Sequence, residues 1–388
     1  EAEGERARPA IVKALRDALD AGRAELARRL AETPSAGHDV TGGFSFLMDQ
    51  LLRVIHDHVT THIYPAPNAT QAERLAILAV GGYGRAEMAP HSDVDVAFIT
   101  PGKRAPWCEQ VIETMLYLLW DLGLKVGQSV RTVTESTNYA KDDLHLHVAL
   151  LETRHLCGSA ELYAQLEAKT AALLSGQAWK PFARAIVESQ RKRREKAGGS
   201  AYLQEPDLKN GVGALRDVQG CVWIARTARN GVGPAGLAAS GFLPSVDLQK
   251  FEEAKQVLLR LRCELHFQVT RPTEQLSLER QNTMSQGLGY RGTLTERIGG
   301  MMREYFDAAD HVRRCAEIVE GAVMGEPEPE GWGAPFIMDG LRVVPGGTVT
   351  AEHRLVFEED PGRLVRLFRI CQIHEARPDR QLHGVEFL

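Results

Sequence analysis

The residues with the clearest chemical potential lie in one short segment, "LAVGGYGRAEMAPHSDVDVAFIT", at 78–100. Gly81, Gly82 and Gly84 follow one apolar run, and Asp93 and Asp95 begin a second run rich in β-branched residues. Both runs predict strands, and residues i and i+2 of a strand point to the same face. We therefore expect the two carboxylates to lie side by side.

Two adjacent carboxylates repel each other, and burial is costly unless a cation compensates them. Mg²⁺ is the expected cation, with Mn²⁺ as an alternative, because Mg²⁺ binds carboxylate oxygens together with substrate phosphates. A glycine turn allows backbone N–H groups to approach an anion closely. A lone glycine turn or a lone D-x-D is commonly structural. Their combination at this spacing favours phosphoryl or nucleotidyl transfer.

The elements that must position these residues follow from the periodicity of the chain. Residues 74–134 predict strand, turn, strand, helix and strand, which form a small sheet with helical cover. Two helices are expected before it, at 1–32 and 44–63, separated by a loop at 31–43. The third strand is expected at 125–134, after a helix that ends near Gly123.

From about residue 141 the pattern is nearly all helical. The expected helices are 142–158, 159–175, 179–198, 216–229, 247–270 and 295–322, with an irregular segment at 202–217. A linker at 325–333, an extended segment at 336–344 and a last helix at 359–376 complete the chain.

The predicted fold class is α+β, a small sheet with helical cover followed by a mostly helical domain. The expected organisation is N-terminal helices at 1–70, a catalytic core at 71–140, a helical domain at 141–324, and a linker with a C-terminal segment at 325–388.

Bulk properties restrict the expected partners and compartment. The net charge of −5 over 388 residues gives no basic field, so we expect no nucleic-acid partner. No apolar run reaches the roughly 18 residues of a membrane span, so we expect no membrane partner. The six cysteines are scattered without a C-x-x-C pair, which is typical of reduced cysteines in a cytoplasmic protein.

The segment "GGYGRAEMAPHSDVDVAF" resembles the signature of polymerase β-type nucleotidyltransferases, in which a glycine turn precedes a spaced D-x-D. More narrowly, it resembles the N-terminal part of the bacterial PII uridylyltransferase/uridylyl-removing family. The likeness continues in "LLWDLGLKVGQSVRT", "LLETRHLCG" and "EPDLKNGVGALRD" and covers nearly all of the chain from about residue 44. Ala86 and Ala214 stand where that family usually has glycine.

The resemblance implies transfer of UMP from UTP to a tyrosine of the signalling protein PII. It implies that Gly81, Gly82 and Gly84 cradle the triphosphate and that Asp93 and Asp95 bind Mg²⁺. Arg85 and Ser92 lie in the same motif, and their implied role is phosphate contact. The alternatives are an adenylyltransferase or another nucleotidyltransferase with a different donor or acceptor, and a catalytically weakened nucleotide-binding module.

Two further residues have competing interpretations. Superfamily members add a third carboxylate from a neighbouring strand, but "GQSVRT" contains no acid, so Glu152 is the substitute candidate. The alternative is that Glu152 pairs with a nearby arginine. Lys209 lies in the irregular segment, where it either neutralises the phosphates of UTP or is a solvated loop lysine.

The resemblance also implies an HD-type phosphohydrolase domain and two glutamine-sensing ACT domains further along the chain. The sequence ends at Leu388 before any H…HD…D pattern. We therefore expect a truncated or short member without the uridylyl-removing activity and the glutamine response.

Overall fold

The structure is a computed structural model that describes residues 2–33, 37–66, 70–102, 105–228, 237, 240–243, 245–325, 336–343, 348–353, 355–374 and 376–378. Two compact units emerge, Glu1–Glu320 and Gly321–Leu388. Their boundary falls four residues before the predicted one at 324/325. The finer divisions predicted at 70 and 140 lie inside the first unit.

Two antiparallel-packed helices begin the first unit, α1 (Ala2–Glu32) and α2 (Gly37–His58). The loop predicted at 31–43 was wrong over its second half, because α2 already begins at Gly37. Close packing outweighs the turn propensity of this glycine-rich stretch. A Cβ on Gly43 would collide with the side chain of Leu26, so the absence of a side chain at residue 43 leaves room for Leu26 between α1 and α2.

The predicted sheet is present and gains a fourth strand. Its strands are β1 (Ala76–Ala79), β2 (Val94–Thr100), β3 (Val126–Thr132) and β4 (Arg154–Gly158). The order is β3-β2-β1-β4, with β1 antiparallel to β2 and β4, and β2 parallel to β3. Helix α4 (Pro106–Asp121) supplies the crossover that a parallel pair requires. The turn after β1 is a single helical turn, α3 (Gly81–Gly84).

The chain after β3 differs from the prediction of one helix over 142–158. Helix α5 (Val133–Asp142) begins at once, because the Thr132 hydroxyl accepts from the Glu135 N–H in a capping box. Helix α6 (Leu144–Leu151) follows, and the rest of the predicted helix is the strand β4. Residues 154–158 form a strand because they pair with the open edge of β1. The sheet therefore extends beyond the predicted core boundary at 140.

The alternation of side chains along β2 separates the two faces of the sheet. Val94, Val96 and Phe98 are buried in the core formed with α1, α2 and α4. Ile99 faces the opposite side, where it packs with Leu162 and other residues of α7 (Ala160–Leu173). Asp95 shares that second face, because residues of a strand alternate.

Further helices of the first unit whose bounds are described are α8 (Trp179–Lys196), α9 (Leu215–Ala228), α10 (Ser245–Gln268), α11 (Leu278–Gly287) and α12 (Leu294–Met324). All but α11 were predicted. The segment before α9 is irregular as expected, and side-chain contacts fix its conformation. The Asp217 carboxylate accepts from the Gly213 N–H at 2.7 Å and pairs with Arg193.

The described residues of the second unit form four short strands and two helices. They are β5 (Phe336–Met338), β6 (Leu341–Val343), β7 (Thr348–Ala351), α13 (Val356–Glu359), α14 (Arg363–Ile373) and β8 (Arg377–Pro378). The predicted extended segment is thus a hairpin, and α14 lies within the predicted last helix. Residues 326–335, which include most of the predicted linker, lie outside the described residues. Among the described residues, no helix combines the length and apolar character needed to cross a membrane.

Candidate active site

The glycine turn follows directly from the end of β1. Gly81 adopts φ +60°, a left-handed conformation that glycine adopts without a side-chain penalty. The Glu87 N–H closes the turn by donating to the Gly82 carbonyl at 2.8 Å. A Cβ on Gly84 would overlap the carbonyl oxygen of Glu152. Gly84 therefore allows the turn to pack against the chain that enters β4.

The half-buried carboxylate of Asp95 lies between two glycines. A Cβ on Gly81 would stand 3.4 Å from its Oδ2, and a Cβ on Gly127 would collide with its Oδ1. Gly127 is directly opposite Asp95 in the parallel ladder of β2 and β3. Burial and the neighbouring Asp93 raise the pKa of Asp95, whereas Lys209 acts in the opposite direction.

Asp93 lies just before β2 and is more exposed than predicted. Its carboxylate forms a 2.9 Å salt bridge with Lys125, whose side chain is 82% exposed. Asp93 is near enough to Asp95 to raise its pKa, as expected of adjacent carboxylates. We call Asp93 and Asp95 together the carboxylate edge.

A second set of charges lies behind the glycine turn. The Arg85 guanidinium donates from Nε to Glu87 at 2.7 Å and from Nη1 to Glu152 at 2.5 Å. Lys255 Nζ lies 2.9 Å from Glu87 Oε1, and the Trp223 indole N–H donates to Glu152. We call Arg85, Glu87, Glu152 and Lys255 the buried ion-pair chain.

The positive and negative side chains of the buried ion-pair chain neutralise each other. Burial alone would favour neutral Glu87, but Arg85 and Lys255 outweigh it and lower the pKa of Glu87 to about 2. Burial likewise opposes the charge of Arg85, but Glu152 and Glu87 raise the pKa of Arg85. The structure thus shows Glu152 paired with an arginine, Arg85, as the second of its two interpretations proposed. Its role as a third metal-binding carboxylate gains no support, because no group of three or more His, Cys, Asp or Glu in the described ranges is placed to hold a metal.

The irregular segment brings two cations toward the carboxylate edge. The Arg216 N–H donates to the Lys209 carbonyl at 2.9 Å, so the two residues are held next to each other. The Lys209 ammonium is 4.0 Å from Glu274, and Arg262 binds that same carboxylate at 2.8 Å. Burial and Arg262 lower the pKa of Lys209. One carboxylate, that of Glu274, thus lies beside both Lys209 and Arg262.

Ser92 has a local structural contact. Its hydroxyl oxygen accepts from the Ala89 N–H at 2.9 Å, and its own N–H donates to the Ala89 carbonyl at 2.9 Å. This turn orients the chain that enters β2. The phosphate contacts expected of Ser92 and Arg85 stay predictions.

Known proteins are similar to this chain in sequence. Residues 181–319 match the family model described as "GlnD PII-uridylyltransferase". A bifunctional uridylyltransferase/uridylyl-removing enzyme of Erythrobacter litoralis is 39% identical over 98% of this chain and 42% of its own length. Equally named proteins of Novosphingobium aromaticivorans and Rhodospirillum rubrum are 39% and 37% identical, over 95% and 96% of this chain and 41% of each of theirs.

The chain is similar to these proteins along nearly its whole length. It spans about two fifths of the length of the curated relatives it matches. The region matched by the family model contains Lys209, Arg216, Trp223 and Lys255, whereas the glycine turn and the carboxylate edge lie before it. The similarity to the full-length relatives extends over 95–98% of the chain.

Several residues of the candidate site were not found from the sequence. Gly127 had a usable signal, since a glycine inside a strand often marks a close approach. Trp223 and Lys255 had none, because they meet Glu152 and Glu87 only through the tertiary fold. Arg216 stood in the quoted "GALRD" motif, but nothing local showed that it would lie beside Lys209.

Proposed function

We propose that this chain transfers UMP from UTP to a tyrosine hydroxyl of a PII signalling protein and releases pyrophosphate, with Mg²⁺ as cofactor. The names of the relatives support the reaction type, and the description of the matching family model supports the PII acceptor. The observation that carries the proposal is the carboxylate of Asp95, placed between the Gly81 turn and Gly127. Lys209 and Arg216 add positive charge on the side of that carboxylate.

The residues present fit a divalent metal ion. Asp93 and Asp95 offer hard carboxylate oxygens, and Mg²⁺ is commonly held by one or two carboxylates together with substrate phosphates. Gly81 and Gly127 keep open the space beside Asp95 that side chains would fill. When bound, the metal neutralises charge on the phosphates. Mn²⁺ suits the same oxygen ligands.

The chain's own residues would position the reactants. Gly81 and Gly82 admit the triphosphate close to the backbone, and Lys209 and Arg216 offset its negative charge. The tyrosine oxygen forms a bond to the α-phosphorus while the bond to pyrophosphate breaks. The tyrosine proton passes to a carboxylate of the carboxylate edge. Catalysis here consists mainly of positioning and electrostatic stabilisation.

An intact-mass assay tests the proposal. The chain is incubated with PII, UTP and Mg²⁺, and the PII mass is measured with parallel samples that contain EDTA or that replace UTP with ATP. We expect a UMP-sized addition to PII that requires both UTP and the divalent ion. An AMP-sized addition from ATP alone would replace the proposed donor, and no addition from any nucleotide would contradict the proposed activity.

A further inference from the structure

A cavity of about 380 Å³ lies beside Asp95, on the face of the sheet that α5, α6 and α7 cover. Asp95 and Gly81 form one part of its lining. Leu146, Ala149, Leu150 and Leu166 contribute apolar wall, and Ser129, Arg131 and Thr153 contribute polar groups. The volume lies in the lower part of the roughly 300–1,000 Å³ range of small-ligand sites.

The sequence keeps this space open. On β2 the residue after Asp95 on the same face is Ala97, and opposite Asp95 on β3 is Gly127. Neither side chain can fill the gap between the sheet and α6. An apolar wall with a few polar groups is the usual composition of a small-molecule site.

The polar groups suit a nucleobase and a ribose. The central carbon of the Arg131 guanidinium lies 5.8 Å from the centre of the Tyr139 ring, and a guanidinium carries five N–H donors in its plane. The Thr153 hydroxyl donates to the Leu150 carbonyl at 3.0 Å, which leaves its oxygen able to accept. Uracil presents two carbonyl acceptors around one N–H donor, so a guanidinium and hydroxyls complement its edge.

We propose that this cavity holds the nucleoside part of the nucleotide, with the base against α6 and the triphosphate at the glycine turn beside Asp95. The inference rests on the proposed function and adds the place of base selection. It locates that selection on the sheet face and on α6, whereas the phosphates lie toward Lys209 and Arg216.

The binding of two probes distinguishes the contribution of the nucleoside from that of the phosphates. UTP and inorganic tripolyphosphate are titrated calorimetrically, each with Mg²⁺, into wild type, Ala149→Leu and Val148→Leu. Leucine at 149 fills the cavity, whereas Val148 lies on the same helix and does not line it. We expect Ala149→Leu to weaken UTP at least tenfold and to leave tripolyphosphate within about twofold, since the lost contacts belong to the nucleoside. Val148→Leu should change neither.

A second variant covers the case in which Ala149→Leu unfolds, which its melting temperature would reveal. Arg131→Met leaves the packed helices unchanged and should also weaken UTP more than tripolyphosphate. Equal binding of UTP by wild type and both variants would overturn the inference, and so would equal loss of both probes in a folded variant. A raised KM for PII with unchanged UTP binding would assign the cavity to the acceptor and would also overturn it.

The binding experiment contains no PII, so its failure is distinct from failure of the proposed function. The expected selective loss of UTP without any transfer to PII would support the cavity and contradict the proposed reaction. Transfer to PII by wild type, with UTP binding unchanged in the folded variants, would contradict the cavity alone.

Discussion

The two charged groups near the glycine turn both contain carboxylates, but these carboxylates differ in burial and in pairing. In the carboxylate edge, Asp93 is 44% exposed and has one salt bridge to an exposed lysine. In the buried ion-pair chain, Arg85 is 10% exposed and Glu152 is 3% exposed, and both are fully engaged by partners. Carboxylates with spare oxygens can hold a metal ion that also binds phosphates, whereas carboxylates neutralised by buried cations stabilise the fold.

The physical consequences of this difference are large. A surface ion pair contributes about 0–1 kcal/mol, because water screens it. Breaking a buried pair costs about 3–5 kcal/mol, because the remaining charge has no partner. Loss of the carboxylate edge should therefore abolish chemistry without unfolding the protein, and loss of the buried ion-pair chain should destabilise the fold around the turn.

The largest expected effect is that of Asp95→Asn. The neutral amide keeps the shape and removes the charge, so the transfer rate should fall at least about 100-fold, as for loss of other charge-stabilising groups. Initial rates of UMP incorporation measure this, with the exposed Asp142→Asn as the matched control. The free energy of unfolding should stay within about 0.5 kcal/mol of wild type. Wild-type rates in Asp95→Asn would remove the carboxylate edge from the mechanism.

Glu152→Gln tests the other side of the comparison. It leaves Arg85 buried without one of its carboxylates, so the free energy of unfolding should fall by about 3 kcal/mol. Urea denaturation measures the change. Glu161→Gln is the control, because its pair with Arg74 is exposed and should cost less than about 1 kcal/mol. Equal losses in the two variants would show that the buried ion-pair chain is no more important than a surface pair.

Two glycine substitutions test the same difference between the carboxylate edge and the buried ion-pair chain. Gly84→Ala would collide with the backbone of Glu152, so it should destabilise the fold by about 1–3 kcal/mol. Gly127→Ala meets only the end of the Asp95 side chain, which can rotate away. It should cost little stability but displace the carboxylate, and a displaced group can slow a reaction by about 10- to 100-fold. The reverse pattern, in which Gly127→Ala unfolds the protein and keeps the rate, would contradict this account.

A smaller effect is expected in the pH dependence of stability. The pKa of Glu87 is lowered from 4.5 to about 2 in the folded chain. Its contribution is therefore present above about pH 4.5 and is lost as the pH falls toward 2. Urea unfolding of wild type and Glu87→Gln over that window should show a flatter curve for the variant. Parallel curves would mean that Glu87 gains no stability from Arg85 and Lys255.

The smallest expected effect is that of Lys125→Met. The lysine is almost fully exposed, so losing its salt bridge with Asp93 should change the free energy of unfolding by less than about 1 kcal/mol. The transfer rate should change by less than about threefold, and the variant should be less sensitive to salt. A loss comparable to that of Asp95→Asn would make Lys125 part of the site.

Local patterns explain which parts of the site the sequence could predict. The glycine turn, the D-x-D and the strands around them depend on residues close in sequence, and all were found. Strand β4 was missed because "RHLCG" directly follows an apolar helical stretch, and only pairing with β1 decides its conformation. The Trp223 contact with Glu152 joins residues 71 positions apart. No local pattern predicts such a contact, and so the two interpretations of Glu152 could not be separated.

The most direct measurement of the central claim is Mn²⁺ binding in the presence of UTP, followed by electron paramagnetic resonance in wild type, Asp95→Asn and Glu152→Gln. The carboxylate edge should hold the metal, and Glu152 should only position the turn. We predict that Asp95→Asn weakens Mn²⁺ binding at least tenfold, whereas folded Glu152→Gln stays within about threefold of wild type. Equal weakening in both variants would make Glu152 a metal ligand and contradict the account.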